Sequence, residues 1–342
     1  MIGPKSRTVN ASAVPVIQLI KIRFAMSSPQ QMKAKWSDFY TKMKTACQNC
    51  TDKTIYVYLR NASRLRNLTA ETEDIPKTHS WLLEPALYKK FDKLPLSQRR
   101  LLGLAAVKSL QAYGKKDDKW NNRLAKASEE YDEKRNQRVK SAKEKSKWTD
   151  KGYDSLKTAA KQQKTEVKHD LAANPKTLKN LWNIQKWVVL VLYSQHALRL
   201  DYADLVLSKP TDEKKNFLYK YPRKGWVLTL RDYKTAKFRG EQQLKMSRAA
   251  SLVLSRFVPI VKTLTEHGKL LTSQTGSALS RNGLSKLLTR LTQKLLGKKG
   301  FSASLIRVLK ATKYRAETEK SKSLSEEMGH SQKQQFQYSR IK

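Results

Sequence analysis

The sequence predicts a mainly α chain carrying one small antiparallel β-sheet, an α+β fold, divided into a helical amino-terminal domain and a larger carboxy-terminal one. Three observations lead there. Apolar residues recur at helical spacing over most of the chain. Strand-like runs are confined to one stretch, residues 216–246. A polar, basic stretch separates two regions of different texture. The 342 residues suffice for two domains, each with a sizeable core.

Residues 1–30 read as a flexible arm, with Pro4, Pro15 and Pro29 and no sustained period. The helical domain is expected over 31–148. Trp36, Phe39, Tyr40 and Met43 make one stripe, and Ile55, Tyr58, Leu59 and Leu65 a second. Beyond Pro76 come Trp81, Leu82, Leu87, Tyr88 and Phe91. Pro95 and Ser97 then open a helix carrying Leu101 to Tyr113, and Gly114 stops it. Residues 119–148, dense in Lys, Arg and Glu and anchored by Trp120, Leu124, Tyr131 and Val139, read as a long basic helix.

Residues 149–174 read as a basic linker, and 175–342 as the second domain. Leu181, Ile184, Trp187, Val188 and Leu192 mark an apolar core helix. Strands are expected over 216–221, 225–233 and 241–246, and helices from Ser247 onward, punctuated by glycines.

Seventy Lys and Arg against 29 Asp and Glu give a formal charge of +41. Self-repulsion on that scale calls for an anionic partner, and double-stranded DNA suits it, because each cation placed on a phosphate releases a counterion. A membrane is disfavoured: the apolar run 14–25 is broken by Lys21 and Arg23 and is too short to span a bilayer. We therefore expect an intracellular, soluble chain. Cys47 and Cys50 lack the partners that a zinc site needs and read as reduced thiols. No metal or cofactor is expected. The five histidines show no metal-ligand spacing, and there is no Walker or dinucleotide loop. Cationic side chains must then serve where other DNA enzymes use metal ions.

Four segments could supply them: His196-Ala-Leu-Arg199, Asp232-Tyr-Lys234-Thr-Ala-Lys237 at the β-hairpin tip, Ser304-Leu-Ile-Arg307, and Met328-Gly-His330 running on to Tyr338. Each residue taken singly has an ordinary structural explanation. Taken in this order, they resemble the catalytic domain of the tyrosine recombinase (phage-type integrase) family over residues 175–342. The resemblance extends to the recombinases of large DNA viruses and virus-like transposons. More loosely, the preceding helical domain resembles that family's core-binding DNA clamp.

The resemblance implies that Arg199, Lys234, Arg307, His330 and Tyr338 form the active site, with Lys237 an alternative to Lys234. It implies cleavage and rejoining of DNA through a 3′-phosphotyrosyl link, without metal or ATP. It also implies a homo-oligomer, four subunits on two duplexes, in the nucleus or at a site of viral or mobile-element DNA replication. Ser304 departs from the pattern, since it stands where the family usually has His. Serine cannot shuttle a proton near neutral pH, so the group that activates Tyr338 is left open. The alternatives are a type IB topoisomerase-like relaxing enzyme and a DNA-binding protein of this fold with weak or no catalysis.

Overall fold

The computed structural model describes residues 28–70, 72–174, 176–315 and 318–340. Most of the arm expected over 1–30 lies outside them. The chain splits into two compact units, Met1–Asp132 and Glu133–Lys342.

The first unit is helical: α1 (Pro29–Lys35), α2 (Ser37–Ala46), α3 (Asp52–Ala70), α4 (Pro85–Asp92), α5 (Leu96–Ala112) and most of α6 (Asp118–Asn136). Ser28 and Gln31 close a capping box on α1, with Pro29 just inside the helix. Helix α5 ends as its glycine predicts. Gly114 takes a φ of 68°, Gly114 N donates to Gln111 O (3.0 Å) and Lys115 N to Leu110 O (2.9 Å), a Schellman motif. Trp120 centres one core cluster: its indole donates to the Leu82 carbonyl (2.7 Å) and receives the edge of Phe91 (ring centroids 4.8 Å apart).

Three expectations need correction here. Cys47 and Cys50 are joined as a disulfide rather than free. The turn after α2, closed by Cys50 N donating to Cys47 O, brings their Cα atoms to 5.3 Å, within bonding range. The basic helix stops at Asn136, and Val139, expected as an anchor, is exposed. The stretch 149–174 is not a linker: α8 (Ser155–Glu166) lies within it, and Leu156, Ala159 and Val167 are buried in the core of the second unit. Small alanines let α8 pack closely on the core, although they contribute little to a hydrophobic stripe.

The second unit continues from α6 through α7 (Ala142–Lys145), α8 and α9 (Lys168–Ala172) to α10 (Leu178–Gln195), the central helix, opened by a Thr177/Asn180 capping box. The sheet follows: β1 (Leu205–Val206), β2 (Asn216–Tyr221), β3 (Gly225–Leu230) and β4 (Gln242–Lys245), with α11 (Ala236–Arg239) between the last two. Then come α12 (Arg248–Leu264), α13 (Arg281–Leu296), α14 (Ala303–Lys313), α15 (Thr318–Glu327) and α16 (Gln332–Tyr338).

The mainly α architecture with one small sheet is as expected. The sheet is mixed rather than wholly antiparallel: in the order β1-β2-β3-β4, two-residue β1 pairs parallel to β2, and the other pairs are antiparallel. Strand β3 also stops three residues short of expectation. The buried Asn216 explains it: its Oδ1 accepts from Arg231 N and Asp232 N (both 2.8 Å), and its Nδ2 donates to Asp232 O (2.8 Å). Those bonds draw the chain off the ladder into the α11 loop. No helix among the described residues is long and apolar enough to cross a membrane.

Candidate active site

Helix α10 ends at His196, and the next turn is fixed from below. Tyr202 Oη donates to Leu192 O (3.1 Å) and His196 O (3.0 Å), and Tyr193 Oη donates to Arg199 O (2.5 Å). The two rings meet edge to face at 5.0 Å. This frame sets the backbone of Arg199, whose half-buried side chain makes no hydrogen bond or ion pair with the described residues. Asp201, two residues on, is buried and paired with Arg281 (3.3 Å), which also pairs with Asp204.

Arg307 comes from α14, whose first turn is capped by Ser302. Only 2% of its surface is exposed. Nη1 donates to Ala197 O (3.3 Å) and Nη2 to Met328 O (3.0 Å), while Nε has no partner among the described residues. Burial, with Arg199 close by, pulls its pKa down to about 10, against a lift from Tyr338. Arg307 therefore stays charged at neutral pH. Among the described residues it forms no ion pair; two carbonyl dipoles, the Tyr338 hydroxyl and the more distant Asp201 carboxylate offset its charge only in part. That is the electrostatic signature of a site suited to an external anion.

His330 is delivered by the end of α15. Gly329 N donates to Glu326 O (3.0 Å) and His330 N to Ser325 O (3.0 Å), again a Schellman pattern, with Gly329 at a φ of 63°. A Cβ on Gly329 would stand 2.8 Å from Thr235 Oγ1, which itself donates to Gly329 O (2.6 Å). The loop after β3 thus docks directly beside His330. The ring is 2% exposed, and burial, Arg307, Arg199 and Arg239 push its pKa down to about 4. It is neutral at physiological pH. The tautomer that donates from Nδ1 to the Ser331 carbonyl (3.3 Å) leaves Nε2, which has no partner among the described residues, as an acceptor.

Tyr338 closes α16. Its ring stacks on His330 (centroids 5.0 Å apart, planes 14° apart), and the Arg307 guanidinium carbon lies 5.4 Å from its centroid. Two sequence-predicted residues, Arg307 and His330, therefore both lie against a third, Tyr338. Arg199 is near enough to repel charge on the first two. Lys234 and Lys237 are exposed, on the loop whose Thr235 touches Gly329, and neither has a partner among the described residues. Ser304 is exposed one helical turn before Arg307, also unpartnered among the described residues.

Sequence reasoning missed two features. Arg239, at the end of α11, adds positive field at His330. Behind Arg307 lies a buried ionic cluster: Lys310 Nζ donates to Gln195 O (2.7 Å) and Glu327 Oε1 (2.5 Å), and Glu327 Oε2 is 3.4 Å from His196 Nδ1. Burial pushes the Glu327 carboxyl up, but His196 and Lys310 together hold it below its ordinary value. The signal was present in part, because Lys310 follows Arg307 at i+3 on one helix face and Glu327 precedes His330 at the same step. No group of metal-ligating side chains occurs among the described residues. A cavity of about 570 Å³ lined by Trp182, Lys186, Lys286, Arg290 and Lys294 shares no residue with this cluster.

No protein-family model matches the chain, and no curated protein matches it. Among solved structures it is similar to a XerA recombinase, at 11% identity and a TM-score of 0.41, over 90% of this chain and 94% of that one. It is also similar to lambda integrase, in a crystal structure of a dimer bound to a COC′ core site, at 15% identity and a TM-score of 0.45, over 92% of this chain and 81% of that one.

Proposed function

We propose that this chain is a DNA strand transferase of the recombinase and integrase type, which cuts and rejoins double-stranded DNA through a covalent bond to Tyr338. The observation that carries the reading is that Arg307 of α14 and His330, in the turn after α15, both lie against Tyr338 of α16, the buried guanidinium having no ion-pair partner among the described residues.

In this mechanism Arg307 and Arg199 bind the non-bridging oxygens of the scissile phosphate and stabilise the charge that grows there. Tyr338 Oη attacks phosphorus, and the bond from phosphorus to the 5′ oxygen breaks, leaving a 3′-phosphotyrosyl link. The phenolic proton passes to solvent, with the Arg307 guanidinium beside the ring favouring the phenolate, and neutral His330, stacked on Tyr338, holds the nucleophile in place; Ser304 cannot act as a base near neutral pH. Lys234, on the loop that touches Gly329, protonates the departing 5′ oxygen. Rejoining reverses these steps. Two duplexes held by four copies of the chain would turn cleavage into recombination or integration.

The test is trapping on nicked duplexes drawn from a random-sequence library, read by denaturing gel. Wild type gives a covalent adduct, and Tyr338→Phe gives none. Arg199→Ala and Arg307→Ala lower the adduct rate by about 10²-fold or more. Duplex affinity changes little, because many other cations hold the backbone. Intact binding with no adduct on any duplex would leave a DNA-binding protein and remove the enzyme.

A further inference from the structure

The helix that carries Tyr338 has only seven residues, Gln332–Tyr338, too few to be stable on its own. Its position must come from what it touches. One side faces Arg307 and His330. The end bearing the tyrosine is held by residues 136–144, a stretch expected from the sequence to belong to a basic helix suited to lying along DNA.

The contacts are specific. Arg340 lies two residues past Tyr338. Its Nη1 donates to the last carbonyls of α16, Gln337 O (2.7 Å), Tyr338 O (3.2 Å) and Ser339 O (3.3 Å). This is a side-chain cap on a helix carboxy-terminus, where a cation also matches the helix dipole. The other edge of the guanidinium meets Glu144: Nη2 to Oε1 at 2.8 Å and Nε to Oε2 at 3.4 Å. Glu144 is itself immobilised by a capping box, with Ser141 N and Oγ both donating to Oε2 (2.8 and 2.9 Å). Arg340 N donates to Thr312 Oγ1 on α14, the helix of Arg307 (3.0 Å).

A second set of contacts lies alongside. The Arg138 guanidinium sits 3.7 Å from the centroid of the Phe336 ring, and its Nη1 donates to Ser339 Oγ (3.4 Å). Gln337 Nε2 donates to Asn136 Oδ1 (3.1 Å). Arg138 holds a φ of 53°, the one described non-glycine residue in the left-handed region, a conformation that surrounding contacts must sustain.

We infer that residues 136–144 form a strap whose Glu144–Arg340 pair latches the Tyr338 helix in place, making Glu144 and Arg340 positioning residues for the nucleophile. The inference rests on the reading of Tyr338 as nucleophile, but the latch has a readout of its own. The pair is largely shielded from water, and its guanidinium spans the strap and the final turn of α16, so losing it frees the tyrosine without touching Arg307 or His330. A displacement of about 1 Å is enough to cost roughly 10²-fold in rate.

The experiment compares full-length wild type with Glu144→Gln, Arg340→Met and the conservative Arg340→Lys. Glu144→Gln keeps a capping-box side chain and removes the charge, and Arg340→Lys keeps a cation that can donate both to Glu144 and to the helix end. Hydrogen exchange by mass spectrometry should show faster exchange confined to residues 332–340 in Glu144→Gln and Arg340→Met, largely reversed in Arg340→Lys. Single-turnover adduct formation on nicked duplex should fall about 10- to 100-fold in Glu144→Gln and Arg340→Met, with duplex affinity unchanged, and largely recover in Arg340→Lys. Unchanged exchange at 332–340 overturns the latch. So does loosening spread across the unit with a matching fall in melting temperature, which is what a merely structural pair would give. If wild type forms no adduct, the nucleophile reading fails, and the exchange pattern still decides whether the latch exists.

Discussion

At the scale of single residues, His330 shows how surroundings choose a chemical role. In water its imidazole would titrate at about 6.5. Here burial, with three guanidinium groups nearby, lowers that value to about 4. The unfolded chain therefore takes up the proton first as pH falls. The contribution of the neutral ring to stability is complete above about 6.5 and is lost progressively as pH drops toward 4. His330→Gln should flatten the dependence of the urea midpoint on pH across that window. Parallel curves for variant and wild type would mean that the ring is not held neutral. Arg307 takes the opposite course. Its pKa also falls, but from so high a start that it keeps its charge. One pocket thus holds a neutral ring and a lasting cation, both against Tyr338.

At the scale of elements, the site depends on how helices end. Gly329 turns the chain at a φ of 63°, and the space where a Cβ would sit is filled by Thr235 and Tyr233. Gly297 ends α13 at a φ of 61°, but nothing lies within 4 Å of its missing Cβ. Gly297→Ala should therefore cost only the left-handed conformation, about 1 kcal/mol. Gly329→Ala should cost at least twice that, and also slow adduct formation, because it pushes His330 away from Tyr338. Denaturant melts of the two variants provide the check, and equal losses would mean that the packing of Thr235 on Gly329 does not matter. The same element-level view explains the β3–β4 connection. It was read as a hairpin tip, yet it contains α11, and buried Asn216 on β2 binds its first residues, while Thr235 within it docks beside His330.

At the scale of the whole molecule, charge dominates. A surplus of 41 positive charges predicts binding to duplex DNA that is tight at low salt and steeply salt-dependent. If six to ten phosphates are engaged, affinity should fall by about 10³- to 10⁵-fold between roughly 50 and 200 mM salt. Titrating a labelled duplex at several salt concentrations measures this, and a flat dependence would show that the charge serves some other end. Removing single cations such as Arg199 should change this slope by no more than about one unit.

Much of this was legible in the residues. Periodicity marked α10 with Trp187 and Val188 at its core, alternation and β-branching marked β2 and β3, and Gly114 marked the end of α5. The order of Arg199, Arg307, His330 and Tyr338 suggested a site before any geometry was known. Such patterns are local: each reports how a few neighbouring residues satisfy their own backbone and bury one face. The burial of α8, the parallel pairing of two-residue β1, the Lys310–Glu327–His196 cluster and the strap across α16 left no comparable trace. The sequence by itself determined the class of fold and the cationic character, and it proposed candidate residues for the site. Only the tertiary structure decided which of them meet, because Glu144 and Arg340, or Ala197 and Arg307, become neighbours through long-range packing that no short-period pattern encodes.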